Sequence, residues 1–111
     1  MNNPLNELKG KAFNLAQFIE YAEGSVVSKT LINKEAGTIT LFAFDKDQGL
    51  SEHKAPFDAL VYILDGTAEI SIGGKPQTAS AGEMLIMPAN ITHALQALAP
   101  FKMLLVMIRE A

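Results

Sequence analysis

The spacing of apolar positions changes once along the chain, near residue 25. Before that point Leu15, Phe18, Ile19 and Ala22 fit one face of a helix. Asn14 followed by Gln17 has the form of a capping box, with Asn in place of Ser or Thr, and Gly24 stands where such a helix would end. A short N-terminal helix is expected, after a polar stretch over residues 1–12 that is expected to be loosely held. From residue 25 the period is two. Residues 25–32 are rich in β-branched side chains, and residues 38–44 alternate Ile39, Leu41 and Ala43 against Thr40, Phe42 and Phe44. Glu35-Ala36-Gly37 between them reads as a hairpin turn. Both faces of residues 38–44 are apolar or nearly so, which suits a strand covered on each side.

Residues 45–52 read as a polar loop around Gly49. Residues 60–64 form the next expected strand, ended by Asp65-Gly66. Residues 68–72 alternate Ala68, Ile70 and Ile72 against Glu69 and Ser71, and Gly73-Gly74 is a two-residue hairpin signal. Pro76 in the return segment points to an edge strand. Residues 84–87 form a short apolar strand stopped by Pro88. Residues 93–98 and 101–108 follow, separated by Ala99-Pro100. About eight short strands divided by Gly, Pro and Asp turns predict an all-β sandwich or barrel.

At 111 residues the chain is expected to be one domain, with its barrel core over about residues 25–109. Hydrophobic residues make up 49% and charged residues 19%, too apolar a balance for a disordered tail. A net charge of −3 and a pI near 5.3 argue against a nucleic-acid-binding surface. The absence of Cys removes disulfides, thiolate metal sites and cysteine nucleophiles. The longest apolar runs, residues 59–64 and 103–108, are six long, whereas a membrane span needs ~20. The start, Met1-Asn2-Asn3-Pro4-Leu5-Asn6, lacks the basic-then-apolar pattern of a secretory signal, so a cytoplasmic location is expected.

Only two histidines occur, His53 and His93, each near the start of an expected strand and each after a turn bearing Gly or Pro. A barrel can bring both into one mouth. An isolated His is more often a surface or packed imidazole than a ligand, but the surrounding residues change that balance. Gly82, Pro88 and His93 stand at the spacings of Gly, five residues, Pro-x-Gly-x-x-His. Asn90 holds the second Gly position, and Asn is the non-Gly residue that best tolerates positive φ. This segment resembles the second motif of the cupin superfamily, except that Ala97 stands where that motif closes with Asn. Upstream, residues 61–66 resemble the end of the first cupin motif. Counting back from Gly66 places its Glu position at Ala59, its His-x-His positions at Ala55 and His53, and its first Gly position at Asp47. Two motifs in register identify the chain as resembling a small single-domain cupin. The resemblance implies a jelly-roll barrel, a small double-stranded β-helix. It is less specific for function, because this fold serves many activities.

The resemblance also implies a ligand set of three His and one Glu around one divalent metal such as Fe, Mn, Ni or Zn. Here those positions hold His53, Ala55, Ala59 and His93, so the metal is expected to be weakly held or absent. Asp58 would complete a two-His, one-carboxylate set with His53 and His93. Strand parity turns Asp58 away from the face of positions 53, 55 and 59, unless a bulge near Pro56 or Phe57 shifts it. Tyr62 and Met84 are candidates for lining a ligand pocket. The parity of Tyr62 groups it with Leu60 and Leu64 rather than with His53. Met84, Met87, Met103 and Met107 would give an adaptable apolar lining, although core packing is the commoner role of Met.

Three readings follow. The first is a cupin that binds a small molecule in its barrel, with His53 and His93 as hydrogen-bonding groups. The second is a divalent-metal-dependent dioxygenase, isomerase or decarboxylase using His53, His93 and Asp58. The third is a ligand-free interaction module. The apolar surplus in residues 38–44 and 101–108 adds the expectation of a two-fold homodimer.

Overall fold

A computed structural model describes residues 8–109. Positions 1–7 of the stretch expected to be loosely held lie outside the described residues. Nine strands follow in order: β1 Val26–Lys34, β2 Gly37–Phe44, β3 Gly49–His53, β4 Ala59–Asp65, β5 Thr67–Ile72, β6 Lys75–Ser80, β7 Met84–Met87, β8 His93–Ala97 and β9 Phe101–Ile108. They form a five-stranded sheet, β1-β2-β9-β4-β7, and a four-stranded sheet, β3-β8-β5-β6. The pairings are antiparallel, and β2 against β9 runs without a break from Gly37↔Ile108 to Phe44↔Phe101.

Period-two alternation decides which side chains meet between the sheets. Phe44, Val61, Ile63, Phe101 and Met103 from the larger sheet face Ala68, Ile70, Leu95 and Ala97 from the smaller one, and all are buried. Each large apolar side chain removed from water contributes about 1.5–3 kcal/mol. The result is the expected jelly roll. Pro76 sits on β6, an edge strand, as its missing N–H requires. Gly73 and Gly74 hold φ of 58° and 81°, the positive pair that a tight hairpin turn demands.

Three expectations change. The N-terminal helix is a single 3-10 turn, Leu15–Gln17. Its cap is present, with the Asn14 side chain accepting from the Gln17 N–H at 3.1 Å. Lysines from the sheet reach its carbonyls: Lys102 Nζ donates to Ala16 O at 2.6 Å and Lys29 Nζ to Phe18 O at 2.8 Å. The segment lies across the outer face of the larger sheet as a strap, and Ile19 is buried against Leu41 and Ala43. Tyr21 Oη ties it down by donating to Asp65 Oδ2 at 2.5 Å. That bond and burial raise the Tyr21 pKa, with burial the larger cause.

The hairpin turn between β1 and β2 is Glu35-Ala36, and Gly37 belongs to β2. The polar loop of residues 45–52 contains a ninth strand, β3. Its route begins at Asp47, which adopts φ 70° where the cupin motif has Gly. The Asp47 N–H donates to Ala97 O at 2.9 Å, and Gln48 O accepts from Ala97 N at 2.8 Å. β3 is held by backbone pairing at a sheet edge, where polar side chains carry no penalty, so hydropathy alone does not reveal it.

Candidate functional site

β3 and β8 bring the two histidines together. Their rings are 4.3 Å apart in an edge-to-face arrangement, with Nε2 of His93 3.0 Å from Nε2 of His53. A register irregularity between Leu50 and His53 makes this meeting possible. Three residues apart, the two would face opposite sides of a regular strand. With the bulge, Leu50 packs on the core while the His53 ring reaches His93. His93 is buried and His53 is exposed, so the pair lies at one end of the barrel.

The second cupin-like segment sets the His93 side of this end. Gly82 has φ 90° before β7, Pro88 follows β7, and Asn90 has the positive φ, 64°, expected of it. The Asn90 N–H donates to Ala55 O at 2.7 Å, which joins the two motif segments through their backbones. Gly66 is at φ 77°, and a Cβ there would lie 1.9 Å from Pro100 O, so only Gly fits at this corner.

Both imidazoles are oriented by carbonyl oxygens. His53 Nδ1 lies 2.7 Å from Ser51 O, and His93 Nδ1 lies 3.2 Å from Ile91 O. A carbonyl only accepts, so each Nδ1 is placed to donate to its carbonyl and each Nε2 points toward the other ring. The two Nε2 atoms therefore converge at hydrogen-bond distance, where one proton, or one bound donor or cation, can be shared between them. Burial, and then the neighbouring His53, hold the His93 pKa below its ordinary 6.5; the Ile91 carbonyl partly opposes them. Such a pair favours a hydroxyl, an ammonium, an amide N–H or a cation.

The opposite wall comes from the larger sheet. Thr38, Met107, Ala59 and Met87 are successive register partners across β2, β9, β4 and β7. They lie at the histidine end, because residues 88–92 lead directly from Met87 to His93. Ala59, at the Glu position of the cupin motif, is buried among apolar neighbours. Thr38 shares inward parity with Phe42 and Phe44, and its Oγ1 is buried with no hydrogen-bond partner among the described residues. Sequence reasoning missed Thr38. Its available signal was a hydroxyl on the inward parity of an otherwise apolar strand.

The other candidate residues lie elsewhere. Asp58 Oδ1 accepts from the Ala89 N–H at 2.8 Å, and Asp58 is exposed. It braces the loop before His93. Tyr62 and Met84, expected to line a pocket, are register partners on β4 and β7 and face outward, 37% and 56% exposed. Their parity opposes that of Val61, Ile63 and Met87, which fill the barrel. Among the described residues no group of three His, Cys, Asp or Glu gathers as a metal site. Both imidazoles have the orientation of metal ligands, with the other ring N–H held by a carbonyl. The donor count, two nitrogens and no carboxylate, falls short of the three protein ligands usual at a catalytic zinc. The residues present therefore do not fit the full cupin metal site.

A jelly roll with paired histidines at one end and both motif turns in place defines a cupin-type barrel. The cupin-domain family model matches residues 40–108, and the chain belongs to that family. A conserved protein of unknown function from Streptococcus pyogenes is 37% identical, with a TM-score of 0.88 over 92% of this chain and 90% of that one. A Cupin 2 conserved barrel domain protein from Leptotrichia buccalis is 45% identical, with a TM-score of 0.85 over 87% of this chain. The present chain spans only 47% of that protein's length. A cupin superfamily protein from Desulfitobacterium hafniense is 29% identical, with a TM-score of 0.87 over 92% of this chain and 94% of that one. No curated protein matches. Among the described residues no helix is long and apolar enough to cross a membrane.

Proposed function

We propose that this cupin binds a small molecule at the His53/His93 end of its barrel, through a hydrogen-bond donor on that molecule. The observation that carries the reading is the pair of Nε2 atoms 3.0 Å apart, each ring oriented by its own carbonyl. A protonated amine can donate to both nitrogens and a hydroxyl to one, and the Thr38 hydroxyl, which has no partner among the described residues, and the methionine-lined wall offer further contacts. The test is a thermal-shift and NMR titration at pH 8 with small polyols, amines and carboxylates. Polyols or amines should bind, and His53→Ala and His93→Ala should each abolish the response. Binding confined to carboxylates that lack a donor would sink the reading.

The carbonyl-held imidazoles support a second reading, in which the chain is a metal-dependent enzyme with His53 and His93 holding a divalent cation. Such a cation would polarise a substrate oxygen. Asp58 could join only by releasing the Ala89 N–H. Elemental analysis of protein purified without chelator separates the readings. Stoichiometric metal lost in the His53→Ala/His93→Ala double variant supports the second. Metal absent even after addition supports the first.

A further inference from the structure

Arg109 follows β9 at the histidine end of the barrel. Its N–H donates to Ala36 O at 2.8 Å, which carries the β2–β9 pairing one residue past Gly37↔Ile108. Strand parity therefore still applies at this position. Met103, Leu105 and Met107 pack on the barrel core, and Arg109 continues their parity. Ile108, of opposite parity, lines grooves on the outer face with Val106.

The Arg109 head group is held beside the mouth. Its Cζ lies 6.0 Å from the centre of the Phe57 ring, and Nη1 donates to Lys34 O at 3.4 Å. Phe57 is half-buried and stands two residues before Ala59, in the segment that leads from His53 to β4. An arginine over an aromatic face keeps its in-plane N–H groups available. The single long bond to Lys34 leaves the rest of those donors without a partner among the described residues. Among the described residues no carboxylate forms an ion pair with Arg109, and Asp58, next to Phe57, is turned to the Ala89 N–H.

We propose that the ligand of the histidine end is a small carboxylate that also bears a hydroxyl or an ammonium group, with Arg109 taking the carboxylate. The inference rests on the reading that the His53/His93 pair binds a donor. The histidines project from the smaller sheet and Arg109 from the larger one, so the two polar stations face each other across the mouth. A guanidinium matches a carboxylate with two parallel N–H bonds, a fit that no neutral group reproduces. Packed sheets lie about 10 Å apart, so side chains reaching in from both walls leave room for a short molecule only. Met107 and Ala59, one step inward from Arg109 and Phe57, offer apolar contact to its carbon chain. Phe57 is the positioning residue, because it fixes where the guanidinium stands. Lys54 is a second cation at this end, directly after His53, but it is exposed and no hydrogen bond or ring contact among the described residues fixes it.

The test is an NMR titration of the full chain at pH 8 with glycolate, 3-hydroxypropionate and 4-hydroxybutyrate, each beside its own amide. The amide keeps the hydroxyl and removes the negative charge. The best of the three acids should bind at least about tenfold tighter than its amide. Arg109→Gln should reduce that ratio to below about twofold and leave the affinity for the amide unchanged, while Lys54→Gln should preserve the ratio. Arg109 is exposed, so the variant should keep the wild-type far-UV circular dichroism. Acid and amide binding equally well to the wild type would overturn the inference and leave the histidine reading standing. A preference that survives Arg109→Gln, or is lost in Lys54→Gln, would overturn it too. Binding of none of the six compounds would remove both this inference and the reading beneath it.

Discussion

At the Gly66 end of the barrel, Phe44 and Phe101 stack with ring centres 4.5 Å apart and planes 7° from parallel. Ile63, Ala68 and Ala97 close around them, all fully buried. At the other end the Nε2 atoms of His53 and His93 converge at 3.0 Å, and the Thr38 hydroxyl is buried without a partner among the described residues. One end is apolar packing throughout, and the other gathers polar atoms with one hydroxyl left unpaired among the described residues. A buried unpaired polar atom costs about 1–3 kcal/mol, which a fold retains where the group has another use. The Gly66 end therefore holds the barrel together, and the histidine end is where a ligand would gain the most.

Three changes would break or sharpen that contrast. Gly66→Ala should have the largest effect, because the new Cβ meets the Pro100 carbonyl at 1.9 Å in a backbone conformation with φ 77°. A loss of at least about 3 kcal/mol, or insoluble protein, is expected in urea denaturation. Phe101→Ala should cost about 3–5 kcal/mol by the same measurement, since the residue is fully buried and stacked. A cost below about 1 kcal/mol would mean that this end is not the anchor.

The smallest effect should come from pH at the histidine end. His93 has its pKa held below 6.5 in the fold. Above 6.5 neither the folded nor the unfolded chain binds that proton. As pH falls from 6.5 through the depressed folded value, the unfolded chain takes up a proton that the fold resists. Stability should then decline by at most about 1.4 kcal/mol per pH unit and level off below the folded value. His93→Leu should flatten this dependence and leave stability at pH 7.5 within about 1 kcal/mol of the wild type. An unchanged pH profile in that variant would place the titration elsewhere.

Legibility in the sequence followed physical locality. The hairpin at Gly73-Gly74, the edge strand at Pro76 and the left-handed turn at Asn90 depend on backbone chemistry within a few residues, and all three are present. β3 and the strap depend on distant partners. β3 is held by backbone pairing with β8, and the strap is held by Lys29, Lys102 and Asp65 from the sheet. His53 and His93 could be named as candidates from motif spacing, but the bulge that turns His53 inward could not.

The order of apolar and polar residues, with Gly and Pro at the corners, was sufficient to specify an all-β sandwich or barrel, because strand parity and turn chemistry act over neighbouring positions, and the resemblance of two segments to the cupin motifs narrowed it to a jelly roll. Folding alone decided that the two rings meet nitrogen to nitrogen, that Asp58 binds a loop N–H rather than joining them, and that Tyr62 and Met84 face outward. Each of these outcomes depends on which strand lies beside which and in what register. A single residue of slip reverses the face of every side chain, and only the assembled sheets fix that register.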